Sequence, residues 1–195
     1  MNKILKFLGA LCLWGWGLGL YAVSSPREVL NLNPDWKYQA GDYPGAEQPV
    51  YDDAVWENVG LPHSFSIPYF LSKDFYVGYG WYRREVDSPA KQLEKKIFLE
   101  FDGVFREAEV FVNGKKAGSH DGGYTGFSID ITPFIEPGKK NVITFRITDP
   151  NGNFNWKDSQ VYTWGVYRTN PSHGFGGITG KVELEATGKL YVKDV

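Results

Sequence analysis

The sequence predicts an all-β sandwich, and three observations carry that expectation. Apolar residues recur with a period of two in several short runs. Turn-forming residues separate the runs. About eight such runs follow one another at intervals of about eight to twelve residues, the spacing of a sandwich. Successive side chains of a strand point to opposite faces, so a period of two marks one face for a core. The sequence shows no heptad pattern and no repeat of solenoid length.

Taken in order, residues 33–38 (Asn33-Pro34-Asp35-Trp36-Lys37-Tyr38) read as a first strand at a sheet edge. Residues 41–46 are a loop by their Gly and Pro content. A strand is expected over 80–86. Ile97, Leu99 and Phe101 then alternate with Phe98 and Glu100, and Ala108, Val110 and Val112 alternate with Glu107, Glu109 and Phe111. Asn113-Gly114 supplies the two positive φ angles of a two-residue hairpin turn. Phe127, Ile129 and Ile131 continue the alternation, and Pro137-Gly138 marks a turn before a strand over 141–149. Residues 149–177 carry little pattern, and a stretch well beyond about 12–15 residues is usually functional or disordered. Their Trp and Tyr content argues against disorder. Final strands are expected over 181–187 and 190–193.

Residues 1–24 read as a secretory signal. Lys3 and Lys6 give a positive start, residues 7–20 are apolar, and Ala22-Val23-Ser24 offers the small residues of a cleavage site. The apolar run falls short of the ~20 residues of a membrane span. The expected organisation is a signal over 1–24 and one domain over 25–195, with a periplasmic or secreted location and no membrane span after cleavage. Cleavage would remove Cys12, the only cysteine, and with it any disulfide, thiol nucleophile or thiolate metal site. The formal charge is −2, and losing the two positive charges of Lys3 and Lys6 takes −2 to −4. No basic patch stands out, so nucleic acid is not an expected partner.

Several segments together resemble one known family. Gly80-Trp81-Tyr82-Arg83-Arg84, Leu99-Glu100-Phe101-Asp102-Gly103-Val104, Val112-Asn113-Gly114-Lys115 and Phe127-Ser128-Ile129-Asp130-Ile131-Thr132 follow in order. Asn141-Val142-Ile143-Thr144-Phe145-Arg146-Ile147 and Gly176-Gly177-Ile178 come after them, and Leu61-Pro62-His63 precedes them. This series resembles the N-terminal sugar-binding domain of family-two glycoside hydrolases, the β-galactosidases, β-glucuronidases and β-mannosidases. The resemblance runs over residues 35–195 and departs from the family pattern at Thr179-Gly180-Lys181. It implies a jelly-roll sandwich of the galactose-binding-domain type. It also implies a carbohydrate partner with a terminal β-linked sugar. The two catalytic glutamates of the family lie on a (β/α)₈ barrel, which needs ~250 residues.

The candidate sugar-binding residues are Asp149, Asn151, His63 and Trp164. Asp149 ends a strand and opens the long stretch, where a carboxylate accepts hydrogen bonds from sugar hydroxyls or merely caps a turn. Asn151, Asn153 and Asn155 add amide donors and acceptors. The resemblance implies that Asp149 helps line a sugar pocket and that His63 approaches it. A lone His is otherwise a packed or surface residue. Trp156 and Trp164 are candidates to stack on sugar rings, or to staple their loop down.

No cofactor and no metal is expected. Asp149-Pro150-Asn151-Gly152-Asn153 fits a calcium loop poorly, with Gly fourth instead of sixth and Gln160 at the twelfth position. Glu107 and Glu109 share one strand face about 7 Å apart. That separation suits a glycosidase pair and equally suits a solvated strand. Glu85-Val86-Asp87 begins a glycanase motif that Ala90 breaks.

The expected function is an exported, non-catalytic sugar-binding domain of a family-two-type β-glycosidase whose catalytic barrel lies on another chain or is missing from a truncated gene. The alternative is a free-standing carbohydrate-binding or structural interaction module, and an enzyme in its own right is the third reading.

Overall fold

A computed structural model describes residues 27–65, 76, 78–88, 95–149, 162–164, 167–169 and 176–191, with backbone only over 162–164 and 167–169. The expected signal over 1–24 lies outside these residues. Fourteen strands are described: β1 (Glu28–Asn31), β2 (Trp36–Ala40), β3 (Glu57–Val59), β4 (His63–Ser64), β5 (Gly78–Asp87), β6 (Lys96–Phe101), β7 (Arg106–Val112), β8 (Lys115–Gly122), β9 (Phe127–Asp130), β10 (Lys140–Asp149), β11 (Tyr162–Trp164), β12 (Tyr167–Thr169), β13 (Gly177–Ile178) and β14 (Val182–Thr187).

Two antiparallel sheets form the sandwich. One runs β1-β14-β6-β9, the other β3-β2-β5-β10-β7-β8, and the short pairs β11-β12 and β13-β4 lie beside them. The chain crosses repeatedly between the sheets, as in a jelly roll. The core lies between them. Phe145 of the larger sheet meets Phe101 of the smaller one edge-on at 5.2 Å and Trp36 at 4.8 Å.

β10 is the spine of the larger sheet. Phe145 stands in register with Tyr82 of β5 on one side and Val110 of β7 on the other. Ile143, Phe145 and Ile147 are buried in the core. The odd-numbered residues of β10 therefore face inward, and Thr144, Arg146 and Thr148 face outward.

Asn113 and Gly114 turn the β7–β8 hairpin with φ of 51° and 79°, as the turn chemistry requires. Asn113 then serves a second purpose. Its Nδ2 donates to the Asn141 Oδ1 at 2.7 Å, and its Oδ1 accepts from the Val142 amide at 2.9 Å. The fully buried Asn141 donates in turn to the Glu136 and Lys139 carbonyls, which closes the Pro137-Gly138 turn. Both amides are satisfied, so their burial is not penalised.

The outer face of the larger sheet is partly covered by residues 41–56. Trp81 packs there with Ala46 and Trp56 in a second buried cluster. Arg83, 3% exposed, latches this cover. Its Nε donates to Asp53 at 2.8 Å, and Nη1 donates to the carbonyls of Ala46 and Gln48.

Three expectations need correction. The strand near Trp36 is not at an edge, because β2 lies between β3 and β5. Residues 149–177 are not wholly a loop, because β11 and β12 pair antiparallel within them. Leu190 and Tyr191 lie outside any strand, because β14 already has β1 and β6 on its two sides. Strands β1 and β8 were not legible, since neither buries one clean face.

Replacing Arg83 by Met keeps much of the volume but removes the latch. Arg83→Met is expected to lower the unfolding free energy by about 3 kcal/mol and to shift the tryptophan emission to the red as Trp56 and Trp81 become wet. Unchanged denaturation and emission would contradict the latch.

Candidate functional site

Asp149 is in phase with Ile143, Phe145 and Ile147, so its carboxylate points to the inner side of the sheet at its rim. It is only 3% exposed. One oxygen accepts from the backbone N–H of Gly176. The other, Oδ2, is buried without a hydrogen-bond partner among the described residues. Burial pushes the Asp149 carboxyl up to about 6, against the opposing pull of the Gly176 amide and the Arg106 charge.

Gly176 must be small here. A Cβ on it would collide with the Phe65 ring at 2.6 Å and the Asp149 Cβ at 2.9 Å. The next residue, Gly177, has φ of 133° and runs against the His63 carbonyl. The Phe65 amide donates to the Gly176 carbonyl at 2.8 Å, and His63 pairs with Ile178 between β4 and β13. Asp149 and His63 thus flank one short segment, residues 176–178.

His63 is half-buried. Its Nδ1 lies 2.8 Å from the Tyr82 hydroxyl, and its ring lies 4.6 Å from that of Tyr38. Burial lowers its pKa to about 4, so it is neutral at pH 7. Tyr82 is fully buried and takes a hydrogen bond from the Ile178 amide. In the tautomer whose Nδ1 is bare, the Tyr82 hydroxyl donates its own hydrogen to His63. A neutral imidazole that accepts at Nδ1 carries its proton on Nε2, so His63 offers a donor while Asp149 offers an acceptor. Burial also raises the pKa of Tyr38, whose hydroxyl has no partner among the described residues. Near pH 5 the Asp149 and His63 side chains are thus polar and uncharged, and Asp149 ionises as the pH rises through about 6.

Of the four candidates, the structure brings Asp149 and His63 to the two sides of residues 176–178. Asn151 lies outside the described residues. Trp164 ends β11, where only the backbone is described. Tyr82, Tyr38, Phe65 and Gly176 were missed. The phase of β5 could have marked Tyr82 as inward, but its bond to His63, 19 residues away in sequence, has no local signal. Glu107 and Glu109 sit on the opposite, outer face. Lys116 and Arg146 bind Glu109 at 2.7 and 3.0 Å and lower its pKa, which is the reverse of what a catalytic acid needs. No group of three or more metal-ligating side chains occurs among the described residues. No helix among them is long and apolar enough to cross a membrane.

The family model for the sugar-binding domain of glycosyl hydrolases family 2 matches residues 30–182. The chain belongs to that family. A β-glucuronidase of Formosa agariphila is 30% identical over 179 residues, covering 87% of this chain and 18% of that protein. A β-galactosidase of Thermoanaerobacter pseudethanolicus is 34% identical over 180 residues, covering 87% of this chain and 22% of that protein. The crystal structure of a Bacteroides uniformis β-glucuronidase superposes with a TM-score of 0.69 at 32% identity, covering 82% of this chain and 18% of that one. The chain spans about a fifth of the length of the relatives it matches. The family-two sugar-binding domain thus has its two sheets here, with Asp149 at the inner rim of the larger one.

The raised pKa of Asp149 has a definite sign. The protonated form is favoured in the folded state, so its contribution to stability is full below the ordinary value of 3.8 and is lost as pH rises through about 6. His63, with a lowered pKa, contributes the opposite slope, lost as pH falls from 6.5 toward about 4. Asp149→Asn should therefore gain stability relative to the natural protein by about 2–3 kcal/mol between pH 4 and pH 7. A difference in unfolding free energy that stays flat with pH would contradict the buried carboxyl.

Proposed function

We propose that this domain is exported and forms one wall of a β-glycosidase sugar pocket, with the bond-breaking carboxylates supplied by a catalytic barrel outside these residues. The observation that carries the reading is Asp149, which is 97% buried by its 3% exposure, with one carboxylate oxygen taken by Gly176 and the other unpartnered among the described residues. An oxygen so placed gains by accepting from a ligand hydroxyl once the groups that cover it move aside, because a buried acceptor without a bond costs about 1–3 kcal/mol. The His63 Nε2–H complements it with a donor. A sugar presents both kinds of group on each hydroxyl. Asn151 and Trp164, on the stretch that Asp149 opens, are proposed to complete the wall with an amide and a ring face. Holding a terminal β-linked sugar in one orientation lowers the barrier for a barrel that acts on the neighbouring bond.

The relatives support the reading at the level of carbohydrate chemistry, since they are named β-glucuronidase and β-galactosidase. Titration of the chain with methyl β-galactoside and methyl β-glucuronide, followed by amide NMR, tests it. At least one sugar should shift the amides of His63, Asp149 and residues 176–178, and Asp149→Asn should weaken that binding by about tenfold or more. Silence toward both sugars, or shifts that Asp149→Asn leaves untouched, would refute it.

Export rests on the basic start, apolar run and small residues of 1–24. Protein recovered from the envelope of the source cells should begin at Ser25. A chain that retains residues 1–24 in the cytoplasm would contradict export.

A further inference from the structure

The larger sheet carries a concave surface on its outer face, away from the inner side where Asp149 lies. The cover formed by residues 41–56 stops short of it. The groove holds about 570 Å³ and crosses β5, β10, β7 and β8. Four strands at their usual spacing make it about 14 Å across. The ladder sets its floor as two cross-strand rows. Tyr79, Thr148, Glu107 and Asp121 stand in register in one, and Arg146, Glu109 and Ser119 in the other, which continues beneath the cover as Trp81.

We propose that this groove is a glycan-binding surface that takes a neutral oligosaccharide chain laid across the strands. The charges decide the class of occupant. Three basic side chains (Arg106, Lys116, Arg146) and three acidic ones (Glu107, Glu109, Asp121) line the groove, so its formal charge balances. It attracts neither a polyanion nor a polycation. Most of these charges are already engaged. Lys116 and Arg146 hold Glu109 at 2.7 and 3.0 Å, and Arg146 also binds Asp42 at 2.8 Å. The network fixes the floor in place before any ligand arrives, which reduces the ordering cost of binding.

Glu107 stands apart from this network. Its side chain is exposed and makes no hydrogen bond or ion pair among the described residues. Its two oxygens can accept from a vicinal pair of hydroxyls, and its charge disfavours a uronate at the same place. The hydroxyls of Thr148 and Ser119 donate and accept on either side of it. The Tyr79 ring is covered by the Arg146 guanidinium at 4.2 Å, so recognition here is by hydrogen bonds rather than by stacking.

The inference does not depend on the site proposed at Asp149, because Thr148 and Asp149 point to opposite faces of β10. The test titrates the purified chain with cellohexaose, xylohexaose and mannohexaose, and separately with an oligogalacturonate of similar length, by amide NMR and calorimetry. At least one neutral chain should shift the amides of Glu107, Ser119 and Thr148. Glu107→Gln should weaken that binding by about tenfold. Ser119→Trp, at an exposed position in the groove, should abolish it with an unchanged melting temperature, and Asp149→Asn should leave it intact. The proposal fails if no neutral chain binds in the millimolar range, if the shifts fall only around residues 176–178, if Glu107→Gln has no effect, or if the oligogalacturonate binds as tightly as the neutral chains.

Discussion

The alternation of side chains along β10, held in register by ladders on both sides, determines what each face of the larger sheet can do. Phe145 is fixed between Tyr82 and Val110, and it packs on Trp36 of its own sheet and on Phe101 across the sandwich. With that residue inside, Asp149 must also face inward and Arg146 must face out. A slip of one residue would drive the Arg146 guanidinium into the core and turn Asp149 to solvent. The burial of several apolar side chains, each worth about 1.5–3 kcal/mol, therefore sets the position of a carboxylate that contributes nothing to that burial itself.

The two faces differ in how they treat charge. On the inner rim, burial outweighs the Gly176 amide and the Arg106 charge and keeps Asp149 easy to protonate, and burial keeps His63 neutral. On the outer face, Arg146 gathers Asp42 and Glu109, and the pairs hold all three groups in their charged forms. One strand thus presents a nearly uncharged hydrogen-bonding wall on one side and a charge-balanced, pre-ordered surface on the other. Both favour polar ligands without strong net charge.

Much of the sandwich was legible in the sequence. The β7–β8 turn could be read from Asn113-Gly114 because few other pairs tolerate two positive φ angles. Strands β6, β7 and β10 could be read because each buries one face against the other sheet. β8 could not, because it is an edge strand with both faces half-exposed. Trp81 is buried, but beneath residues 41–56 on the outer face. Its position depends on the Arg83 latch, a contact between distant segments that no period reveals. At the site, the phase of Ile143, Phe145 and Ile147 already pointed Asp149 inward. The pairing of His63 with Tyr82, and the close approach of Gly176 to Phe65 and Asp149, required the fold.

The central claim is that β10 carries Asp149 into a buried, partly unsatisfied position at the inner rim. Titration of the Asp149 side-chain carboxyl carbon by NMR, with the resonance assigned through Asp149→Asn, tests it most directly. The account predicts a midpoint near pH 6, raised by burial. A midpoint close to the ordinary 3.8 would mean that the carboxylate is open to water and would contradict the account.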